Sequence, residues 1–225
     1  MERSVERDSR TEPVWDVAVR IFHWTLVVGF FTAYFTEGEP LSLHVWAGYV
    51  VCSLVLLRIV WGFVGSRHAR FSDFVFPLRR VLADLADSLR LRAPRFIGHS
   101  PAGGAMILAL LVMLTGTTLT GMAFYAVDDG KGPLSFILAR GVSTAVDPAA
   151  VPRPVAEKGD QAEDEDDEDG NKSPDAEFWE EAHELFANAT PILVILHIGG
   201  VALASLSHRE NLVRAMIDGR KRPLP

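Results

Sequence analysis

Four long apolar runs alternate with charged stretches along this chain. The runs cover about residues 15–35, 41–64, 101–125 and 179–206. Each is close to the ~20 residues that a helix needs to cross ~30 Å of hydrocarbon. The pattern therefore predicts four membrane-spanning helices, called spans one to four in chain order.

The connections between the runs predict how the spans follow one another. Residues 36–40 form a very short connection, so spans one and two are expected to form an antiparallel hairpin. Residues 65–100 are rich in arginine. Four leucines recur there at helical spacing: Leu78, Leu82, Leu85 and Leu89. This spacing predicts an amphipathic helix on the membrane surface, with a solvated basic linker as the alternative.

Composition agrees with a membrane protein and limits the chemistry. Hydrophobic residues make up 48% of the 225 residues, while 29 acidic and 22 basic residues cluster between the runs. The single cysteine, Cys52, excludes a disulfide within the chain and a CxxCH site for covalent haem. Residues 1–12 do not resemble a cleavable signal peptide, so span one is expected to remain as an anchor.

The distribution of charge predicts the orientation of the spans. The segments between spans two and three and after span four are basic, and the segment before span one carries three arginines among four acidic residues, whereas residues 126–178 are strongly acidic. The positive-inside rule then gives an all-α, integral membrane four-helix bundle with both termini in the cytoplasm. The acidic segment is expected to be disordered and to face the periplasm, and residues 132–142 within it are expected to include a short interfacial helix. The predicted organisation is a cytoplasmic tail 1–12, spans one to three within 13–125 with a basic cytoplasmic loop 65–100, an acidic periplasmic loop 126–178, span four at 179–207 and a basic cytoplasmic tail 208–225.

Four histidines lie within these spans at two depths. His183 and His197 are fourteen residues apart, which returns a helical side chain to nearly the same face about 21 Å along the axis. With the predicted orientation, His44 and His183 lie toward the periplasm, and His23 and His197 lie toward the cytoplasm. Two pairs follow by depth: His44 with His183, and His23 with His197.

Each histidine pair would hold one haem iron between two imidazoles. Such ligation leaves no open position for a substrate, so its natural work is electron transfer. An ionisable ring in hydrocarbon is costly without a partner, and hydrogen-bonded structural histidines are the alternative. His208 shares a helix face with His197 and is the rival inner ligand, or a surface or quinone-site residue. His68 and His99 are expected to be interfacial residues.

Three further residues are candidates for binding haem. Arg20 lies one turn before His23, and Arg58 lies fourteen residues after His44, so both are placed to meet the propionates of the cytoplasmic haem. Ordinary snorkelling of these arginines is the alternative. Gly48, one turn after His44, would leave room for the macrocycle. Span three has four glycines that permit close approach of a helix or a flat cofactor: Gly103, Gly104, Gly116 and Gly121.

Several stretches together resemble the cytochrome b subunit of nickel-iron hydrogenases and related bacterial di-haem cytochromes b. They are VWDVAVRIFHW, HVWAGYVVCSLVLLRIVWGFVGSRHARFSDF, GHSPAGGAMILALLVMLTGTTLTG, and HIGG with SHRENLVRAMIDGRKR. They cover about residues 13–125 and 179–222. The resemblance implies a four-helix bundle with two non-covalent haems b, ligated by His23, His44, His183 and His197. The acidic insertion between spans three and four departs from the family's compact form.

The leading hypothesis is a membrane electron carrier of the respiratory chain in the bacterial inner membrane. It would pass electrons between the quinone pool and a redox partner, such as a hydrogenase-like or cytochrome c subunit, with lipid around it and no nucleic-acid partner. Enzymatic activity in this chain would be limited to quinone oxidation or reduction, and no catalytic residue is assigned. The alternatives are a stand-alone membrane quinone oxidoreductase and a haem-free anchor of a redox complex.

Overall fold

The described part of the chain is mostly helical. The structure is a computed structural model that describes residues 12–38, 40–138 and 172–222. Its helices are α1 (Val17–Phe35), α2 (Leu41–Val64), α3 (Leu78–Leu89), α4 (Pro101–Val127), α5 (Pro174–His208) and α6 (Leu212–Asp218). Two short 3-10 turns, Arg67–Ala69 and Phe71–Asp73, follow α2, and residues 135–138 form one more helical turn.

Four of these helices, α1, α2, α4 and α5, are long and apolar enough to cross a membrane. They correspond to the four predicted spans, and α2 has the predicted bounds. The prediction of a mostly helical, multi-pass membrane protein is confirmed. The shorter helices α3 and α6 are additional to the four spans, and α3 covers the four leucines whose spacing predicted it.

Two helix starts differ from the ends of the apolar runs because polar residues cap them. Asp16 precedes α1, and its Oδ1 accepts a hydrogen bond of 2.7 Å from the backbone N–H of Val19. This cap sets the start of α1 at Val17. The helix α5 begins at Pro174, earlier than the apolar run, because Ser173 Oγ accepts from Ala176 N and proline suits a first helical position.

The chain divides into two compact units, residues 1–118 with 186–225, and residues 119–185. The core of the first unit joins α1, α2 and α4 through five buried side chains: Phe30, Val51, Val55, Leu111 and Leu114. Gly29 allows α1 to approach α2 closely, since a Cβ there would lie 3.2 Å from Val51 Cγ2. Most other large apolar side chains of the spans are exposed, as lipid-facing residues are.

In the first unit, the start and the end of the described chain pair with each other. Glu12–Pro13 (β1) and Arg220–Lys221 (β2) form a two-stranded antiparallel sheet. The backbone N–H groups of Val14 and Trp15 both donate to Gly219 O, at 2.9 and 3.1 Å. Gly219 ends α6 with φ of +80°, a conformation that glycine adopts without strain.

The predicted tail 1–12 and acidic loop 126–178 are only partly described. Residues 1–11 and 139–171 lie outside the described residues. The expectations for disorder and for the face on which the acidic loop lies therefore stay predictions. The predicted interfacial helix is described only at its start, where residues 135–138 are helical.

Candidate functional site

Two of the four predicted ligands, His23 of α1 and His197 of α5, both lie in the first unit and within electrostatic range of each other. They are near enough that a positive charge on one ring would repel a positive charge on the other. The Nδ1 atom of His23 is buried and has no hydrogen-bond partner among the described residues. A buried polar atom without a partner costs about 1–3 kcal/mol. The His23 nitrogen is therefore one that an additional bound group would stabilise.

His44, also in the first unit, has one ring nitrogen fixed by the backbone. Its Nδ1 lies 2.8 Å from Ala33 O, the carbonyl of a residue in the last turns of α1. With the proton on Nδ1, this bond orients the ring and assigns Nε2 as the nitrogen that would meet a metal. Histidine ligands in metalloproteins commonly have such a bond.

His183 lies in the second unit and packs against α4. Its Nδ1 is 3.5 Å from Thr120 Oγ1, and a Cβ at Gly121 would lie 2.8 Å from His183 Cε1. Gly121 is thus required for the imidazole to lie where it does, and Thr120 is placed to fix the ring by its Nδ1. Since His44 and His183 belong to different units, their pairing stays a prediction.

The surroundings of these histidines fit a haem. A Cβ at Gly48, which follows His44 by one turn, would meet no atom within 4 Å, and the same holds at Gly199 and Gly200, which follow His197. Helix surfaces without side chains leave room for a flat macrocycle. Imidazoles fixed at Nδ1, an unpartnered buried nitrogen and open helix surfaces are together consistent with ligation by paired histidines.

Arg20 and Arg58, the two predicted propionate ligands, each keep one buried nitrogen without a partner among the described residues. The atoms are Arg20 Nε and Arg58 Nη1. Arg20 Nη1 donates to Ile217 O at 2.5 Å, so this arginine also holds the C-terminal end of α6. Arg58 is only 5% exposed, and its guanidinium lies 5.5 Å and 5.7 Å from the ring centroids of Phe71 and Phe74. Both retain a donor that a carboxylate from outside the chain would satisfy.

Asp16 is a charged neighbour of this site that the sequence analysis did not select. Its Oδ2 accepts a hydrogen bond of 2.5 Å from Ser66 Oγ, which joins the start of α1 to the end of α2. Burial raises the pKa of Asp16, but hydrogen bonds from Ser66 and from the backbone of Val19 outweigh it and the pKa is lowered. The carboxylate is also close enough to stabilise the charge of Arg58. The signal was present in the sequence, because an aspartate directly before an apolar run is typical of a helix N-cap.

His99 occupies an aromatic sandwich next to these charges. Its ring centroid lies 4.6 Å from that of Trp15 and 4.9 Å from that of Phe74. Burial, and then the nearby charges of Lys221 and Arg58, lower the pKa of His99 to about 3. The imidazole is therefore neutral at physiological pH.

His68 and His208, the remaining histidines outside the predicted ligand set, lie in the first unit as well. His68 and His99 line a cavity of about 310 Å³ with Asp73, Phe76, Phe96, Ile97 and Gly98. His208, the rival inner ligand, is the last residue of α5. The expectation that His68 and His99 are not ligands stays a prediction.

Comparison with known proteins places the chain among haem-binding membrane proteins. The model of a family described as prokaryotic cytochrome b561 matches residues 14–219. A protein of Rhodobacter capsulatus named probable Ni/Fe-hydrogenase B-type cytochrome subunit is 25% identical over 242 residues, covering 92% of this chain and 80% of that protein. A protein of the same name from Bradyrhizobium diazoefficiens is 27% identical over 255 residues, covering 98% and 89%. The probable Ni/Fe-hydrogenase 1 B-type cytochrome subunit of Escherichia coli K12 is 31% identical over 142 residues, covering 50% and 60%. No solved structure matches the chain.

Proposed function

The chain belongs to the prokaryotic cytochrome b561 family, and from that premise we propose that it carries electrons between membrane quinone and a redox partner protein. Family membership and the four apolar helices make it a multi-pass membrane cytochrome that binds haem b and transfers electrons. The use of quinone, the number of haems and the identity of the partner belong to the proposal.

We assign two haems b to two histidine pairs, His23 with His197 and His44 with His183. The observation that carries the assignment is the unpartnered buried Nδ1 of His23, and the electrostatic range between His23 and His197 supports it. The bonds from His44 Nδ1 to Ala33 O and from His183 Nδ1 to Thr120 support the second pair. Haem iron between two imidazoles supplies one-electron transfer without an open coordination position.

The remaining residues of the site would hold and tune the cytoplasmic haem. Arg20 Nε and Arg58 Nη1 would donate to its propionates, and Gly48 would leave room beside His44 for the other macrocycle. Asp16 would stabilise the positive charge of Arg58, whose guanidinium packs against a phenylalanine ring. These groups would orient the haems and neutralise propionate charge, and none of them is required to form or break a bond.

We further propose that both termini lie in the cytoplasm and that the protein resides in a bacterial inner membrane. The antiparallel pairing of residues 12–13 with 220–221 supports a common side for the two ends. The arginines of residues 65–100 and 208–222 support the cytoplasmic side. The acidic segment between α4 and α5 would then face the periplasm.

The proposed partner is a hydrogenase-like protein, with a cytochrome c subunit as the second choice. The relatives in Rhodobacter capsulatus and Bradyrhizobium diazoefficiens are named as hydrogenase cytochrome subunits, and their alignments cover nearly this whole chain. Electrons taken from such a partner would reach quinone, or travel in the reverse direction.

A haem assay of the purified full chain tests the proposal. We expect reduced b-type absorption bands and a haem-to-protein ratio near two. Replacing His23, His44, His183 or His197 by alanine singly should lower the ratio to near one, while His68→Gln should leave it unchanged. A ratio near one in the unaltered protein would overturn the two-haem assignment, and absence of b-type bands would leave a haem-free anchor. Haem loss on His208→Gln but not on His197→Ala would move the inner ligand to His208.

A further inference from the structure

The surface helix α3 exposes all four of its leucines. Leu78, Leu82, Leu85 and Leu89 are 71%, 56%, 46% and 69% exposed. At 100° per residue they form one stripe about 60° wide along the helix. Four leucines in water on a twelve-residue helix would be unfavourable, since each buried leucine gains about 1.5–3 kcal/mol. The stripe therefore calls for an apolar partner outside the described chain.

Asp84 determines which face of α3 turns toward the protein and which face carries the leucines outward. Asp84 is only 6% exposed, and its Oδ2 accepts a hydrogen bond of 2.9 Å from the backbone N–H of Ala102, in the first turn of α4. Asp84 lies about 130° around the helix from the middle of the leucine stripe. While Asp84 caps α4, the leucines cannot turn toward the protein.

The same bond fixes the depth of α3. Ala102 is the second residue of α4, one of the four helices able to cross a membrane. The start of such a helix lies at the boundary between headgroups and hydrocarbon. A helix tied to that turn lies at the level of the membrane surface, where an outward apolar stripe meets acyl chains.

Arginines border the leucine stripe and carry charge that the described protein does not neutralise. Arg79, Arg80, Arg90 and Arg92 are all exposed, and none of their side chains has a hydrogen-bond or ion-pair partner among the described residues. On the helical wheel, Arg79 and Arg90 lie beside the stripe, about 90° and 110° from its middle, whereas Arg80 lies on the opposite face. Arginine stems cover apolar surface there while the guanidinium groups reach phosphate oxygens.

We propose that α3 and the turn after it, residues 78–92, form a binding surface for anionic phospholipids of the membrane in which the protein sits. The leucines enter the acyl boundary, and Arg79, Arg90 and Arg92 bind lipid phosphates. The one other acid of the helix, Asp87, lies opposite the leucines, close to Arg80 on the wheel. The charge pattern and the tie to α4 select a lipid surface over a protein partner as the occupant.

Spin-label depth measurements on the full chain in lipid nanodiscs test the location. In a Cys52→Ser background, nitroxides are attached at Leu85→Cys on the stripe and, as a matched control, at Asp87→Cys on the opposite face. We expect the label at 85 to collide more with oxygen and less with a water-soluble nickel chelate than the label at 87. Equal access of both labels to the nickel chelate would overturn the proposal. Shielding of label 85 from both relaxants would show a protein partner and would overturn it as well.

Lipid selectivity tests the arginines. Spin-labelled phosphatidylglycerol and phosphatidylcholine are compared for the fraction held by the protein. One basic residue near an anionic surface contributes roughly a fivefold preference. The variant Arg79→Gln, Arg90→Gln, Arg92→Gln should lose at least about fivefold of the preference for phosphatidylglycerol. Lys131→Gln, a charge change in the loop after α4, should retain it. An unchanged preference in the threefold variant would refute lipid binding by α3.

Discussion

The guanidinium of Arg95 and the carboxylate of Glu210 form a two-pronged ion pair, with Arg95 Nη2 3.0 Å from both carboxylate oxygens. Arg95 Nε is 3.2 Å from Oε2, and the backbone N–H of Arg222 donates to Oε1 at 2.9 Å. The pair ties the segment before α4 to the segment after α5. Its side chains are only 18% and 9% exposed, so water screens the charges poorly.

Removing one member of this pair should destabilise the protein. Glu210→Gln takes away the charge that neutralises Arg95, and we expect a loss of about 2 kcal/mol, measured by unfolding in mild detergent. Asp218→Asn is the matched control, because the Arg214–Asp218 pair is 79% and 43% exposed. Exposed pairs contribute less than about 1 kcal/mol. Equal losses of unfolding free energy in both variants would show that the Arg95–Glu210 pair contributes no more than an exposed ion pair.

Acidification should weaken the fold through His99. The folded pKa is about 3 and the ordinary value is 6.5. Below pH 6.5 the unfolded chain takes up a proton that the folded chain refuses, so stability falls as the pH drops from 6.5 toward 3. The slope approaches about 1 kcal/mol per pH unit, discounted for partial exposure of the ring.

The variant His99→Gln isolates this effect. It removes the titrating group, and the pH dependence of thermal unfolding between pH 7.5 and pH 5 should be shallower than in the unaltered protein. Glu210 does not interfere, because its lowered pKa places its titration below the ordinary value of 4.5. Identical slopes for the two proteins would contradict a buried neutral His99.

A methyl group at Gly121 should disturb the outer haem site. In Gly121→Ala the added Cβ would lie 2.8 Å from His183 Cε1, closer than such contacts occur, so the imidazole must shift. We expect loss or spectral displacement of one haem, measured by low-temperature absorption of the reduced protein. Gly103→Ala is the control on the same helix, since its Cβ would meet only Ser100 Oγ at 3.3 Å. An unaltered spectrum in Gly121→Ala would remove the argument for His183.

If Arg58 binds a propionate as proposed, neutralising it should lower the potential of that haem. A buried cation favours the reduced form, which carries less positive charge, so Arg58→Gln should make one midpoint potential more negative. An interaction of about 1.4 kcal/mol corresponds to about 59 mV for a one-electron couple. Arg58→Lys should restore most of the value, and redox titration of both variants measures it.

Loss of stability alone would not reproduce this result. Arg58 also packs on Phe71 and Phe74, so both variants should unfold more easily. A structural role without haem contact predicts two unchanged midpoint potentials, which would refute the assignment of Arg58 to a propionate.

The spans could be predicted from sequence because each depends on local chemistry alone. The bounds of α2 follow from a predominantly apolar run between Pro40 and Gly65. The leucine spacing of α3 is likewise a local signal. The cap by Asp16 that begins α1 at Val17 is local too, although the apolar run alone did not reveal it. The depth argument also selected His23 and His197, which lie within electrostatic range of each other in the first unit, and their pairing as ligands stays a prediction.

Contacts between distant segments could not be predicted in this way. Arg20 donates to Ile217 O, and Asp84 accepts from Ala102 N, although neither partner has a side-chain feature that a pattern would detect. His99 was expected at the interface, and its aromatic neighbours Trp15 and Phe74 come from two other parts of the chain. Backbone carbonyls and N–H groups are the same in every residue, so only the folded chain reveals which of them are used.

The hydrogen bonds between Gly219 and the residues before α1 have a consequence for biosynthesis. Val14 and Trp15 are synthesised well before α6, yet their backbone donors find Gly219 O only after the last span has been made. Arg20 likewise reaches Ile217 O only then. These contacts therefore form only when α6 has been made and has returned to the segment before α1. A chain that ended before α6 would leave these donors without the partners that they have here.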